Sequence, residues 1–188
     1  MKNFSLQSLI FALVFMLVFV SCGDQKFGTT TDEDTGFKDN HGQAGVIDDV
    51  SNPNILQIAI GSESHTTLVA GVQAAELENI LVNPGPLTVF APTNVAFDKL
   101  PEGTLDDLLK PENKNKLAKI ITSHAAPGTF DIPLLKDGSK IYMATGQYID
   151  VEVKDGDTYV NGSKILASVD ASNGVVHIVD DVFLYAAE

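Results

Sequence analysis

The residue types able to do chemistry are few and scattered. One cysteine, Cys22, and four histidines, His41, His65, His124 and His177, are the strong ligand and nucleophile-partner groups. The histidines have no metal-ligand spacing, and a lone cysteine closes no disulfide within the chain. Ser123 directly precedes His124. Neighbours on a helix point about 100° apart, so this pair is not set as nucleophile and base. The acid pairs Asp106-Asp107 and Asp180-Asp181 are likewise adjacent. The first reads as a helix start, where carboxylates complement the dipole, and the second as a solvated strand end. Asp32-Glu33-Asp34 approaches a calcium loop, but Gly36 falls where that loop needs a ligand. No G-x-S-x-G, Walker loop, G-x-G-x-x-G or H-E-x-x-H occurs. Catalysis has no specific support, and no metal or soluble cofactor is expected.

Charge narrows the partners. All the basic residues are lysine, twelve against 25 acids, for a formal net charge of -13. Phosphate backbones need a basic face, usually rich in arginine, so nucleic acid is excluded. Docking on anionic lipid through basic residues is excluded for the same reason.

The N-terminal segment explains Cys22. Leu9 to Val20 is an unbroken apolar run of twelve after a short polar stretch carrying Lys2. As a helix it would reach about 18 Å, too short for a bilayer core of about 30 Å. It fits the apolar region of a signal peptide. Ser21, Cys22 and Gly23 follow, with Phe19 three residues before the cysteine. This resembles the bacterial lipobox, which usually has leucine at the Phe19 position. The resemblance implies cleavage before Cys22 and a covalent diacylglyceryl and N-acyl lipid on it. Residues 1–21 are therefore expected to be signal peptide. Residues 22–45 are expected to be the lipidated cysteine and a disordered polar tether rich in Gly, Thr and Asp. Such a coil reaches roughly 26 Å.

The folded part begins near Val46. Pro53 is placed in the first turn of a short helix carrying Ile55, Leu56 and Ile58. Thr66 or Thr67 is expected to cap a second helix, with Leu68, Val72 and Ala75 on one face. Leu87 to Phe90 reads as a strand ended by Pro92, and Thr93 caps a short helix that buries Phe97 and Leu100. Thr104 to Asp107 has the form of a capping box. Pro111 opens another helix, whose Leu117, Ile120, Ile121 and His124 share a face. After Gly128 the period becomes two. Strands are expected at 141–143, 148–153, 158–160, 164–169 and 175–184, with hairpin turns at Asp155-Gly156 and Asn161-Gly162. Helices first and strands later make an α+β chain.

Two stretches carry a resemblance. Residues 88–97 read TVFAPTNVAF and residues 173–184 read NGVVHIVDDVFL. Together they resemble the two signature motifs of the fasciclin domain, over about Val46 to Tyr185. The resemblance implies a fasciclin-like β-wedge of two small sheets with short helices packed beside it, in a domain of residues 46–188. It marks Thr88, Phe90, Pro92, Thr93, Asn94, Phe97, His124, Gly174, His177 and Asp180 as motif residues. Their own logic is structural. Phe90 and Phe97 are expected to supply core bulk, and Thr93 or Asn94 to fix the turn. Val175, His177 and Val179 share one strand face, which makes His177 a core histidine; His124 is expected to bond a backbone group. The family usually has Tyr-His where this chain has Ser123-His124.

The resemblance implies adhesion or surface and matrix association, not catalysis. The expected partners are membrane lipid through Cys22 and a surface protein, glycan or matrix polymer. The expected location is the bacterial envelope, as an outer-membrane lipoprotein facing the periplasm or the cell surface. The competing expectation is a small-molecule or lipid-binding lipoprotein, which requires a deep apolar pocket beside the helices or in the mouth of the wedge.

Overall fold

The computed structural model describes residues 52–184. The expected signal peptide, Cys22, tether and His41 lie outside the described residues. Among the described residues, six α-helices fall at α1 Ile55–Ile60, α2 Thr66–Ala74, α3 Glu78–Val82, α4 Asn94–Asp98, α5 Thr104–Leu108 and α6 Lys114–Thr122. Seven strands are β1 Leu87–Pro92, β2 Ala125–Pro127, β3 Lys140–Tyr142, β4 Tyr148–Lys154, β5 Asp157–Val160, β6 Ser163–Ala171 and β7 Gly174–Val179. The chain is α+β, as its order of periodicities requires.

The strands follow one hydrogen-bonded order, β2-β1-β7-β6-β5-β4-β3. Every pair is antiparallel except β1 and β7, which run parallel with Leu87 opposite Gly174 and Pro92 opposite Val179. The two sequence motifs therefore lie side by side, at the centre of one half of the sheet. β6 belongs to both halves. Its first residues pair with β5, the rest pair with β7, and a bulge at Ile165/Ala167 marks the change. Ala144 N donates to Ala125 O at 2.8 Å, which brings the two ends of the strand order together. The sheet nearly closes on itself and leaves little free edge.

Alternation along β1 and β7 divides the core. Phe90 and Val179 face the space enclosed by the sheet, with Ile141, Met143, Ile149, Val151, Val160 and Phe183. Val89, Ala91 and Val176 face the helices and meet Ile55, Leu56, Leu68 and Val72. Leu108, Leu117 and Ala75 form a smaller third cluster between helices. The helical periodicity of Leu68, Val72 and Ala75 thus lands on the core, and all three are buried.

Several local expectations are corrected. Pro53 lies ahead of the first helix rather than inside it. Asn54 takes the cap, accepting from Gln57 N, while the Gln57 side chain accepts from Asn54 N. Neither Thr66 nor Thr67 caps α2. Asn94, reaching over from α4, accepts from Thr67 N at 3.0 Å instead. Thr104 makes no capping box, because Gly103 occupies the cap at φ 79 and Thr104 is already helical. β7 stops at Val179 rather than running to residue 184. Its parallel partner β1 ends at Pro92, and Thr93 N takes the Val179 carbonyl at 3.3 Å before α4 begins. β2, three residues long, lies outside the expected strand set. Phe97 and Leu100 are only partly buried, and Ala96 is the fully buried residue of that turn.

Candidate functional site

The motif residues knit the parallel pair β1–β7 to its neighbours. Thr88 is buried, donates to Gly128 O at 2.8 Å and accepts from Phe130 N at 3.0 Å. Thr93 caps α4, accepting from Ala96 N. Asn94 accepts from Thr67 N and also donates to Glu63 O at 2.9 Å, tying α4 to the start of α2. Pro92 ends β1 and is buried. The Asp180 carboxylate accepts from Lys164 N at 2.8 Å, and its backbone carbonyl accepts from Lys99 Nζ. Gly174 sits at φ 153, where a Cβ would stand 1.8 Å from Leu87 O, so β1 could not pair there with any other residue.

The two motif histidines are both fixed by their partners. His124 Nε2 accepts from Phe183 N at 2.9 Å, so Nδ1 carries the proton and donates to Ile120 O at 2.8 Å. Burial pushes its pKa down from 6.5 to about 4, against the opposing pull of the Ile120 carbonyl. His177 Nε2 lies 2.7 Å from Phe130 O and must donate, so Nδ1 accepts from Ser168 Oγ at 2.7 Å. Burial lowers its pKa too, opposed by the Phe130 carbonyl and the Asp131 carboxylate. The rings of His177, Phe90, Phe183 and His124 touch in sequence, with centroids 5.4, 5.8 and 4.5 Å apart. His177 thus shares its face with apolar neighbours, and His124 bonds a backbone carbonyl, as their positions in the sequence indicated.

Ser123 and His124 come closer than helix geometry alone suggests. The helix ends at Thr122, and Ser123 Oγ lies 3.5 Å from His124 Nδ1. Yet Ser123 Oγ donates to Ile120 O at 2.6 Å, the same carbonyl that takes the His124 proton. Neither atom of the pair accepts from the other, and both residues are buried. His65 is held by Ser62 Oγ at 2.7 Å; burial lowers its pKa, with the Ala91 carbonyl opposing.

Asn173 is the functional-looking residue that sequence reasoning passed over. It is buried, accepts from Ile55 N at 3.0 Å, and donates to Leu81 O at 2.8 Å and Asn83 O at 3.0 Å. Its backbone carbonyl takes Leu87 N. One residue therefore joins α1 and α3 through its side-chain amide and β1 through its backbone carbonyl. Only its place at the head of the second motif hinted at this.

Among the described residues, concavities of two kinds stand out. Beside the helices, an apolar void lined by Leu56, Leu68, Val72, Phe90 and Val176 measures about 30 Å³, and a second near Phe97, Leu117 and Val182 about 20 Å³. Each has room for about one water. A wider cleft of about 580 Å³ opens to solvent between Pro84-Gly85-Pro86, Thr129, Asp131 and the 170–174 turn. Among the described residues no group of three or more His, Cys, Asp or Glu is placed to hold a metal ion, and no helix is long and apolar enough to cross a membrane.

The fasciclin domain model matches residues 63–185, which include both motifs. The chain belongs to the fasciclin domain family. It is 48% identical over 131 residues to the Synechocystis protein sll1483, covering 69% of this chain and 72% of that one. Pig transforming growth factor-beta-induced protein ig-h3 is 30% identical over 141 residues, 74% of this chain but a fifth of that protein. The Mycobacterium bovis cell surface glycolipoprotein MPB83 is 34% identical over 107 residues, 57% of this chain and 47% of its own. Among solved structures, a FAS1 domain pair from the insect cell adhesion molecule fasciclin I matches with a TM-score of 0.64 at 15% identity, over 71% of this chain and 51% of that one. That likeness shows the fasciclin fold.

Proposed function

We propose that this fasciclin-family chain is an exported, lipid-anchored envelope protein that displays one domain, residues 46–188, for adhesion to a surface or matrix, without catalysis. The observation that carries the reading is the inward commitment of the motif chemistry. Both ring nitrogens of His124 and of His177 are bonded within the fold, so neither histidine is free to act on a substrate. What faces solvent is shape and side-chain pattern, the means of a binding module. The solved neighbour from a cell adhesion molecule and the mycobacterial surface glycolipoprotein support the same role and place. Cys22 after the apolar run supports a lipid tether in the outer membrane, and the two half-sheets sharing β6 support the β-wedge. The competing small-molecule or lipid-binding reading calls for a deep apolar pocket: the apolar voids measure only about 30 and 20 Å³, against roughly 300–1,000 Å³ for a ligand pocket, and the cleft of that size, about 580 Å³, is open to solvent and edged by Asp131, Asp170 and Ser172.

The test compares cells making the chain, cells lacking it and cells making Cys22→Ala. Palmitate label and detergent partition are expected in the first and lost in the third, and surface attachment or aggregation is expected to fall in both altered strains. Label that survives Cys22→Ala refutes the anchor. Attachment unchanged in cells lacking the chain refutes the adhesive role.

A further inference from the structure

The outward face of strands β3, β4 and β5 has an unusual composition. Cross-strand pairing fixes which side chains share it. Tyr142 stands opposite Tyr148 and Lys140 opposite Asp150. Glu152 stands opposite Tyr159 and Lys154 opposite Asp157, and Lys164 of β6 extends the row beside Tyr159. Three of the four tyrosines of the chain are here, the other members of the row are charged, and the exposed Leu166 flanks it on β6. Tyr142 and Tyr148 are 48% and 63% exposed, with ring centroids 5.1 Å apart. The inward alternates Ile141, Ile149, Val151 and Val160 are buried in the core, and only Val153 at the end of β4 is exposed, so the core is filled without the tyrosines.

The charges of the face cancel one another in place. Lys140 pairs with Asp150 at 2.8 Å, Lys164 with Asp157 at 2.6 Å, and Lys154 with Glu152. Three lysines meet three carboxylates on a molecule whose net charge is -13. With its charges paired, the face itself offers neither a polyanion nor a polycation a local excess of opposite charge. A neutral partner keeps them, and uses their remaining hydrogen-bonding capacity.

We propose that this face binds a neutral polysaccharide chain, stacked on Tyr142 and Tyr148 and hydrogen-bonded along Asp150, Glu152 and Lys154 towards Tyr159. The proposal rests on the adhesion reading and names its ligand. Sugar rings present flat C–H surfaces that suit an aromatic ring, and hydroxyls that suit paired carboxylates and ammonium groups. The row from Tyr148 to Tyr159 crosses four residues and one strand spacing, about 14 Å, a length that several consecutive sugars occupy. A second copy of the chain is a poorer occupant. A stable protein interface takes about 20–30 residues a side around an apolar centre, and this row offers nine residues with no aliphatic among them.

The test is depletion of the full-length chain, purified in mild detergent, by insoluble neutral polysaccharides (amorphous cellulose, chitin and an α-glucan) and by immobilised alginate. Retention by at least one neutral polymer is expected, unchanged by added salt, and about tenfold weaker in Tyr142→Ala/Tyr148→Ala. Tyr142→Phe/Tyr148→Phe is expected to bind nearly as the parent does, because the rings remain. Circular dichroism and melting establish that both variants are folded. The proposal is overturned if no neutral polymer retains the chain, if only alginate does, or if the alanine variant binds as tightly as the parent. It is also overturned if light scattering shows a dimer that the alanine variant breaks. Attachment that persists in cells making the alanine variant, but falls when the chain is deleted, sinks this face and leaves the adhesive role standing.

Discussion

His124 gives the fold a pH dependence that can be isolated. It is buried, donates from Nδ1 to Ile120 O, accepts at Nε2 from Phe183 N and stacks on the Phe183 ring at 4.5 Å. A second proton would displace the Phe183 amide and place a charge in the core. The folded pKa is accordingly depressed, from 6.5 to about 4. As pH falls the unfolded chain takes up the proton first. The stabilisation is complete above about pH 6.5 and is lost as pH falls towards 4. That difference corresponds to about 3 kcal/mol in all, of which about 2 kcal/mol is gone by pH 5. His124→Gln keeps a donor and an acceptor but does not titrate. Urea unfolding of parent and variant at pH 7.5 and pH 5 makes the comparison. The variant is the less stable at pH 7.5, through the lost stack, and the gap is expected to narrow by about 2 kcal/mol at pH 5. In urea that is a relative midpoint shift of about 1 M. His65 and His177 also have lowered pKa values, but they are present in both proteins and cancel. A gap that stays constant between the two pH values refutes the argument that His124 is buried neutral.

Two further outcomes follow from the backbone geometry and the buried amides. Gly174→Ala places a Cβ 1.8 Å from Leu87 O and should cost more than about 3 kcal/mol in thermal or urea unfolding, whereas Gly103→Ala, with nothing within 4 Å, should cost only about 1 kcal/mol from its positive φ. Asn173→Ala removes three hydrogen bonds, two of them buried, and should cost about 2–4 kcal/mol by the same measurement, against about 1 kcal/mol for Asn94→Ala, which removes the cap of α2. Equal losses for the last two would show that Asn173 is not the junction the geometry makes it.

Periodicity carried most of the fold. Leu68, Val72 and Ala75 are buried where a period of 3.6 puts them, and β4 alternates as a period of two requires from Tyr148 to Glu152, after which Val153 is exposed. Local rules failed where a partner came from far along the chain. The cap of α2 belongs to Asn94, and no reading of the 62–67 stretch could find it. β2 is three residues held by β1 on one side and by Ala144 on the other, too short to show alternation. Gly103 at the cap of α5 took the position that the Thr104 pattern claimed. The candidate site divides in the same way. The burial of His177 was legible from its apolar neighbours, whereas the several roles of Asn173 exist only after Ile55, Leu81 and Leu87 have converged on it. The tyrosine face was hidden because its members come from three separate strands.

The pairing of the two motifs also dictates when this domain can exist. β1 lies early in the folded part and β7 at its end, yet each is the other's parallel neighbour. Asn173 bonds Ile55 across 118 residues, and the Phe183 amide bonds His124 across 59. Contacts of such long sequence separation form late, after the loop-closure entropy has been met. Until residues 174–183 are available, β1 has only the three-residue β2 beside it and the ring stack lacks Phe183. The complete sheet and its ring stack therefore require the last strand. For the export proposed above, this order of assembly has a use: a chain whose core closes only with its last strand is still open while its first part is being threaded through a membrane.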